Sequence, residues 1–200
     1  MIEIRGAGKS FGPLAVLDGF DLKLPDSGVV AILGTSGSGK TTLMRVIAGL
    51  ETLDCGELVK PQGARVSMVF QEDRLIPGLS AAENILAALP PHPSNSDKTA
   101  RILDACGLSQ AAHKLPTELS GGMQRRVAIG RALAFGGDIL LLDEPFKGLD
   151  PATREDVIRI VLGECGRGLT LLVTHSMEEA ERCADVILQF EGPPLTLKSL

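Results

Sequence analysis

The sequence predicts an α/β fold in which a parallel sheet carries an inserted helical part. Three observations support this: alternating apolar and polar residues at the N-terminus, several dense apolar runs, and helical periodicity between two of those runs. The 200 residues suit one domain. Because 44% of the residues are hydrophobic but only 3% are aromatic, the core is expected to consist mainly of aliphatic side chains.

The first half of the chain predicts strands followed by a strand, a loop and a helix. Residues 2–28 alternate apolar and polar positions between Gly, Pro and Asp breaks, which indicates short antiparallel strands. Residues 29–34 (VVAILG) predict a buried strand that runs into a glycine-rich loop. Residues 40–50 place apolar side chains at helical spacing, so a helix is expected to follow the loop.

Three later apolar runs are dense enough to be buried on both faces, as strands of a parallel sheet are; they are residues 65–70, 138–145 and 169–175. Between the first two of these runs the pattern turns helical, over residues 80–89, 97–108 and 120–135. Residues 90–97 (PPHPSNSD) predict a loop. Further strand–helix units are expected after residue 138, so the helical part lies between two strands of the sheet.

Charge and cysteine usage exclude several classes of function. The net charge of −5 gives the chain no polycationic character, so nucleic acid is not an expected partner. The scattered cysteines predict small apolar core residues in a reducing compartment; they are Cys55, Cys106, Cys165 and Cys183. No stretch approaches the roughly 20 apolar residues of a membrane span, and no signal peptide is apparent. Work at a membrane would require spanning helices from another subunit.

The loop GTSGSGKTT, between the first buried strand and its helix, matches the phosphate-binding pattern G-x-x-x-x-G-K-[ST]. Its glycines let backbone N–H groups surround an anion, and the following helix adds its dipole. Lys40 is expected to reach the β and γ phosphates and the Thr41 hydroxyl to bind Mg²⁺. A flexible Gly/Ser loop is the alternative, but the strand-to-helix context favours phosphate. The predicted set is Gly34, Thr35, Ser36, Gly37, Ser38, Gly39, Lys40, Thr41 and Thr42.

The apolar run at residues 139–142 ends in two carboxylates, Asp143 and Glu144. Burial disfavours their ionised forms, so a pair at this position indicates a use for the charge. Asp143 would hold a water on Mg²⁺, and Glu144 would orient or deprotonate the attacking water. A solvated strand end is the alternative, and the phosphate loop in the same chain favours the catalytic interpretation.

Residues 119–126 (LSGGMQRR) predict a second anion site. Ser120 is a good N-cap, and Gly121 and Gly122 leave the helix N-terminus open to close approach. An ordinary capped helix is the alternative. With this element the chain resembles the ATP-binding cassette (ABC) ATPases, whose signature is L-S-G-G-Q; Met123 stands at the position of the glutamine.

The resemblance covers nearly the whole chain and implies a P-loop NTPase (RecA-like) core that uses ATP and Mg²⁺. It implies a single ABC ATPase domain over residues 1–200. Within it, residues 1–71 and 131–200 would form the ATP-binding core, and residues 72–130 the helical signature subdomain.

Several residues gain a role only through the resemblance. Gln71 matches the glutamine that senses Mg²⁺ and the attacking water and faces the membrane subunit, and His175 matches the histidine that contacts the γ-phosphate. Phe11 would stack on adenine, and Asp150 would communicate between two nucleotide sites. The implied catalytic residues are Glu144, His175, Gln71 and Lys40. The implied metal ligands are Thr41, Gln71 and Asp143. Further ATP contacts are Phe11, Ser120, Gly121, Gly122 and Asp150.

The resemblance also implies partners. Two such subunits pair head to tail, so that the signature helix of each completes the ATP site of the other. The expected partners are a second ABC ATPase subunit (a homodimer), integral membrane permease subunits and, indirectly, a solute-binding protein, at the cytoplasmic face of the membrane. The segments VFQEDRLIPGLSAAENI, LSGGMQRRVAIGRAL and LDEPFKGLD resemble importers of the nitrate, sulfonate, taurine and thiamine-precursor kind.

Other classes of protein share part of this pattern. A non-transport ABC ATPase, such as one for iron–sulfur assembly, would carry the same motifs. A small-molecule kinase or GTPase would share the loop at Gly34 but not the LSGG segment, and no N-K-x-D guanine motif occurs. A degenerate cassette that binds nucleotide without hydrolysing it is a further alternative. The residues implied in hydrolysis argue against it, because they are all present: Lys40, Asp143, Glu144 and His175. The motifs do not specify the solute, because substrate choice lies in the other subunits.

Overall fold

The computed structural model describes residues 1–164 and 168–198 and contains two sheets and six α-helices within them. The strands are β1 (Ile2–Phe11), β2 (Leu14–Leu24), β3 (Gly28–Gly34), β4 (Cys55–Val59), β5 (Val66–Val69), β6 (Ile139–Asp143), β7 (Leu169–Thr174), β8 (Val186–Glu191) and β9 (Thr196–Leu197). The helices are α1 (Lys40–Ala48), α2 (Ala81–Leu86), α3 (Asn95–Ala105), α4 (Gly121–Phe135), α5 (Pro151–Glu164) and α6 (Met177–Cys183).

The sheet topology confirms the predicted fold class. A three-stranded antiparallel sheet has the order β2-β1-β4, and a six-stranded sheet has the order β5-β6-β7-β3-β8-β9. The large sheet is parallel except for β9, which pairs antiparallel with β8. Helices α2 to α4 lie in the chain between β5 and β6, so the helical insertion falls where the sequence predicts it.

Two apolar clusters cover opposite faces of the parallel sheet. On β6, Leu141 belongs to the cluster shared with the antiparallel sheet and α1, while Leu142 belongs to the cluster shared with α2, α4 and α5. This alternation explains the continuous apolar runs in the sequence, because a strand buried on both faces cannot present a polar side. Because β6, β7 and β3 pair in parallel, their carboxyl ends lie at the same edge of the sheet.

Some predicted boundaries differ from the structure. Helix α3 begins at Asn95, inside the predicted loop 90–97, because Ser94 precedes the helix and its carbonyl accepts the first intrahelical bond from Lys98, at 3.1 Å. Strand β4 has no counterpart in the prediction, since most of its residues are exposed and show no apolar alternation. Helix α4 runs across the expected boundary between residues 130 and 131. The division into core and subdomain stays a prediction.

The cysteine prediction holds for two of the four residues. Cys106 and Cys183 are buried in the apolar cluster around α4. Cys55 is exposed, contrary to the prediction, because it begins the edge strand β4. Cys165 lies outside the described residues. No helix within the described ranges combines the length and the apolar character that a bilayer crossing requires.

Candidate functional site

A cleft of about 360 Å³ opens above the carboxyl ends of the parallel strands. It is lined by Phe11, Leu14, Val16, Ser36, Gly37, Gly39, Lys40, Thr41, Thr42, Gln71, Glu144, Lys147 and His175. Residues from well-separated segments of the sequence therefore meet at one site. This edge is the position where open α/β sheets bind ligands.

Two glycines of the loop, Gly34 and Gly39, are required by close packing. A Cβ atom on Gly34 would lie 2.4 Å from the carbonyl oxygen of Phe190 in β8. Gly39 has φ +109°, and a Cβ there would lie 2.7 Å from Val16 Cγ1. A side chain at either position would clash, and at Gly39 it would also occupy a backbone region that L-residues avoid. The loop is thus held tightly between β2, β8 and the start of α1.

Lys40 is folded into the loop that precedes it. Its Nζ donates hydrogen bonds to the carbonyl oxygens of Gly34 (2.8 Å) and Thr35 (2.7 Å) and to Ser38 Oγ (3.3 Å). The three residues that accept these hydrogen bonds do not themselves line the cleft; they are Gly34, Thr35 and Ser38. Lys40 is 5% exposed, and burial lowers its pKa, although Glu144 and Asp143 act in the opposite direction. The loop therefore encloses a cation whose charge an incoming anion would stabilise.

Asp143 and Thr41 place two oxygen donors beside Lys40. Asp143 is 2% exposed, and burial raises its pKa despite a hydrogen bond donated by the Thr41 hydroxyl. A buried carboxylate that accepts one hydrogen bond from a hydroxyl still has free lone pairs, which a cation could use. Carboxylate and hydroxyl oxygens are ligands that suit Mg²⁺. Gln71, the third predicted metal ligand, lines the same cleft, where its Nε2 lies 3.4 Å from Glu144 Oε2.

Glu144 is held by its backbone and by three side chains. Its φ of +49° is rare for a residue with a side chain, and its N–H donates to the Val173 carbonyl at 3.0 Å. His175 Nε2 lies 2.7 Å from Oε1, and Lys147 Nζ lies 2.8 Å from Oε2. Burial alone would raise the pKa of Glu144, but these hydrogen bonds and charges lower it. The carboxylate is therefore fixed and ionised at neutral pH.

Lys147 is a cleft residue that the sequence reasoning missed. It follows Glu144 at i+3 in a tight turn, and its N–H donates to the Glu144 carbonyl at 3.2 Å. The available signal was a lysine placed three residues after a candidate catalytic carboxylate. Because no phosphate or signature motif includes that position, the spacing alone did not single it out.

The predicted second anion site lies apart from this cleft. Ser120 caps α4 by accepting a hydrogen bond from the Met123 N–H at 3.3 Å, and it is exposed together with Gly121. Neither residue, nor Gly122, lines the cleft of its own chain. Met123 packs against the apolar cluster around α4. An exposed helix N-terminus is thus available to a second molecule rather than to the nucleotide of this one.

Asp150 also lies outside the cleft, at the start of α5. Its carboxylate accepts hydrogen bonds from the N–H groups of Ala152 and Thr153, both at 3.1 Å, and from Thr153 Oγ1 at 2.6 Å. The Thr153 side chain is so close to α4 that a Cβ on Gly122 would lie 2.9 Å from Thr153 Cγ2. Asp150 therefore caps α5 beside the signature segment, and communication between nucleotide sites stays a prediction.

Two arginines of α4 bind the backbone that carries Gln71. Arg125 donates to the carbonyl oxygens of Phe70 and Gln71, both at 2.7 Å. Arg131 donates to the carbonyl oxygens of Asp73 (3.0 Å) and Arg74 (2.8 Å). Each guanidinium thus spans two successive peptide groups, an arrangement that its planar fork favours. We refer to these four contacts as the arginine clamp; it joins the signature helix to the segment that carries Gln71.

Phe11 lies at the edge of the cleft with 47% of its surface exposed. Lys9 Nζ is 5.3 Å from its ring centroid and pairs with Glu51 (2.8 Å) and Asp54 (3.2 Å) after α1. The Ser10 N–H donates to Asp54 Oδ2 at 2.7 Å. An exposed aromatic ring beside a phosphate loop suits stacking on a base.

Comparison with known proteins finds a family of transporters and the ATP-binding proteins of two transport systems. A family model described as ABC transporter matches residues 17–147. The glutamine transport ATP-binding protein GlnQ of Escherichia coli (strain K12) is 39% identical over 208 residues, which cover 94% of this chain and 86% of that protein. The aliphatic sulfonates import ATP-binding protein SsuB of Mycobacterium sp. (strain MCS) is 41% identical over 194 residues, which cover 94% of this chain and 78% of that protein.

Two solved structures are similar over all or nearly all of the chain. A dimeric structure of the ATP-binding cassette MJ0796 in a post-hydrolysis state, bound to ADP and Pi, has a TM-score of 0.85. It is 27% identical in sequence, and the match covers 100% of both chains. A second dimeric structure, described as a bacterial ABC transporter cassette, has a TM-score of 0.84 and 27% identity, and the match covers 96% of this chain and 94% of that one.

Proposed function

The chain belongs to the ABC transporter family, and from that premise we propose that it powers solute uptake as the ATP-hydrolysing subunit of an importer. It binds and hydrolyses ATP. The observation that carries the assignment of its site is the convergence of the Lys40 loop, Glu144 and His175 in one cleft. The relatives named above are transport subunits, which favours transport over iron–sulfur assembly.

The proposed binding roles follow from the contacts in the cleft. Backbone N–H groups of the loop and the ammonium of Lys40 bind the phosphates, and the Phe11 ring stacks on the base. The Thr41 hydroxyl and the Asp143 carboxylate supply the donors for Mg²⁺, which would neutralise phosphate charge when bound.

The proposed catalytic roles centre on Glu144. Its ionised carboxylate orients the attacking water and accepts its proton, and His175 and Gln71 hold the carboxylate in position. Glu144 is suited to this because it is ionised, fixed on both oxygens and exposed to the cleft. The strained backbone at this residue supports a functional role, since such strain persists where the surroundings determine it.

Substituting Glu144 tests this role directly. Glu144→Gln is expected to reduce phosphate release nearly to background while permitting ATP-dependent dimers, because the amide cannot accept the proton but keeps the shape of the side chain. Phosphate release and light scattering with ATP measure the two effects. The exposed Glu178→Gln in α6 serves as the control. Normal turnover in Glu144→Gln would remove this residue from the mechanism.

We also propose a head-to-tail dimer in which the exposed Ser120 end of α4 closes on the nucleotide of a second copy. Its support is that Ser120 lies outside the cleft of its own chain, and that the similar solved cassettes are dimers. Mixing a Ser120→Arg subunit with a Lys40→Ala subunit would leave one complete composite site. ATPase activity above that of either variant alone is expected; activity equal to the variants alone would contradict the composite site.

The remaining partners are proposed from the relatives. A glutamine transport protein and a sulfonate import protein are the ATP-binding parts of their systems, as their names state. By analogy, integral membrane permease subunits would bind this chain at the cytoplasmic face of the membrane, and a solute-binding protein would act through them. Co-purification of the full chain with a co-expressed permease, with and without ATP, tests the association.

A further inference from the structure

Lys147 has no role in the motifs or in the mechanism above, yet it lines the same cleft as the phosphate loop. Its ammonium lies 2.8 Å from Glu144 Oε2, and its side chain is 58% exposed. The pairing is built into the turn, because the backbone N–H of Lys147 also bonds to the carbonyl of Glu144. The lysine is therefore held next to the proposed catalytic carboxylate while remaining accessible from the cleft.

Lys147 places an ammonium group at that carboxylate. Glu144 has a 12% exposed side chain and contacts His175 through its other oxygen, but a histidine is charged only when protonated. Gln71, at 3.4 Å, is neutral. Among the ion pairs of the described residues, Lys147 is the lysine or arginine that reaches Glu144. Removing its ammonium would leave a full negative charge in the wall of the cleft.

A negative wall matters because the ligand is a polyanion. Lys40 and Glu144 both line this cleft, so a ligand bound by the loop comes close to both charges. Lys40 is the residue proposed to bind the β and γ phosphates, so a terminal phosphate would lie between the loop and Glu144. Repulsion by Glu144 would therefore weigh more heavily on a triphosphate than on a diphosphate, which lacks that group.

Resting on the proposed function, we infer that Lys147 is a positioning residue that determines specificity: its ammonium offsets the charge of Glu144 and thereby lets the cleft prefer a nucleoside triphosphate to a diphosphate. Lys147 acts through Glu144 and does not itself need to contact phosphate. The inference thus predicts a binding effect that depends on the presence of the carboxylate.

The test is a double-mutant cycle read out by binding. The full chain is titrated with the β,γ-imido analogue of ATP and separately with ADP, both with Mg²⁺, by calorimetry. Lys147→Met is expected to weaken binding of the analogue about fivefold, the upper range for a partly exposed ion pair, and to change ADP binding far less. Lys147→Arg, which keeps the charge, is expected to bind both ligands as the parent chain does.

The decisive arm uses the Glu144→Gln background. There, adding Lys147→Met is expected to leave the affinity for the analogue unchanged, since no carboxylate remains to be neutralised. The exposed Lys23→Met, in β2 of the antiparallel sheet, serves as the control for loss of one lysine charge. Equal melting temperatures of Lys147→Met, Lys23→Met and the parent chain would show that the comparison concerns folded protein, as expected for exposed positions.

Two results would overturn the inference. An unchanged ratio of triphosphate to diphosphate affinity in Lys147→Met would remove the specificity role. An equal loss of affinity with and without the Glu144 carboxylate would mean that Lys147 contacts phosphate directly. Failure of the proposed phosphate-binding role of the cleft is distinguishable from both, since Lys40→Ala would then leave both nucleotide affinities unchanged.

Discussion

Replacing Arg125 by methionine is the sharpest test of how the signature helix supports the cleft. Arg125 is 5% exposed, and its two bonds to the carbonyl oxygens of Phe70 and Gln71 are both 2.7 Å long. It also lies 3.1 Å from Asp73 Oδ1. Methionine fills a similar volume but donates no hydrogen bond, so the change removes the two Arg125 contacts of the arginine clamp and keeps most of the packing.

The expected loss follows from these contacts. A hydrogen bond that involves a charged group contributes about 1.5–3 kcal/mol, so two such bonds give about 3 kcal/mol at the lower limit. We expect the lower limit because Gln71 is an exposed residue, so that water competes for this hydrogen bond. Loss of the Asp73 partner acts in the same direction, since it leaves a half-buried carboxylate without its ion pair.

Urea unfolding followed by circular dichroism at pH 7 measures this free energy. Arg159→Met is the matched control, because Arg159 is 77% exposed and pairs with Asp156 on the same helix; its effect should stay within about 0.5 kcal/mol. Arg125→Lys should give an intermediate value, since one ammonium cannot span two carbonyl groups. If the unfolding free energies of Arg125→Met and Arg159→Met agree, the arginine clamp does not stabilise the fold as argued.

Two further predictions concern the loop and a helix cap. Gly39→Ala is expected to abolish ATP binding, because its Cβ would lie 2.7 Å from Val16 Cγ1 at a φ of +109°; calorimetric titration checks this, and unchanged affinity would contradict the packing argument. Glu83 accepts hydrogen bonds from the backbone and side chain of Ser80, which lower its pKa. The contribution of Glu83 to the free energy of unfolding is therefore complete above its pKa in the unfolded chain, about 4.3. It is lost as the pH falls through the lower pKa that Glu83 has in the folded protein. Glu83→Gln should accordingly lose less stability between pH 7 and pH 3 than the parent chain, as urea midpoints would show; parallel curves would exclude the role.

The parts of the fold that could be predicted from the sequence are those whose residues form a recognisable pattern within one short segment. Strand β3, the loop and α1 follow from a buried run, a phosphate motif and helical spacing within residues 29–50. Strand β4 was missed because it is an exposed edge that pairs with β1, about 50 residues away in the chain, so its partner rather than its own residues makes it a strand.

The site shows the same division. Lys40, Thr41 and Glu144 were predictable because their chemistry and spacing form a known pattern. The Lys147 contact and the arginine clamp were not, because a lysine or an arginine in a sequence does not reveal which carboxylate or carbonyl it reaches. Such long side chains find their partners only after the backbone has brought distant segments together.

Helix α1 connects the phosphate loop to the residues that anchor the Phe11 strand, and so fixes the spacing between the two parts of the cleft. Its first residue is Lys40, while the residues just after its last turn, Glu51 and Asp54, anchor the strand that presents Phe11. Nine helical residues span about 13 Å. The length of the helix therefore sets the distance between the phosphate loop at Lys40 and the residues that anchor the Phe11 strand. Inserting or deleting one residue in α1 would rotate Lys40 about 100° relative to that anchor, and a ligand could then engage one end of the cleft but not both.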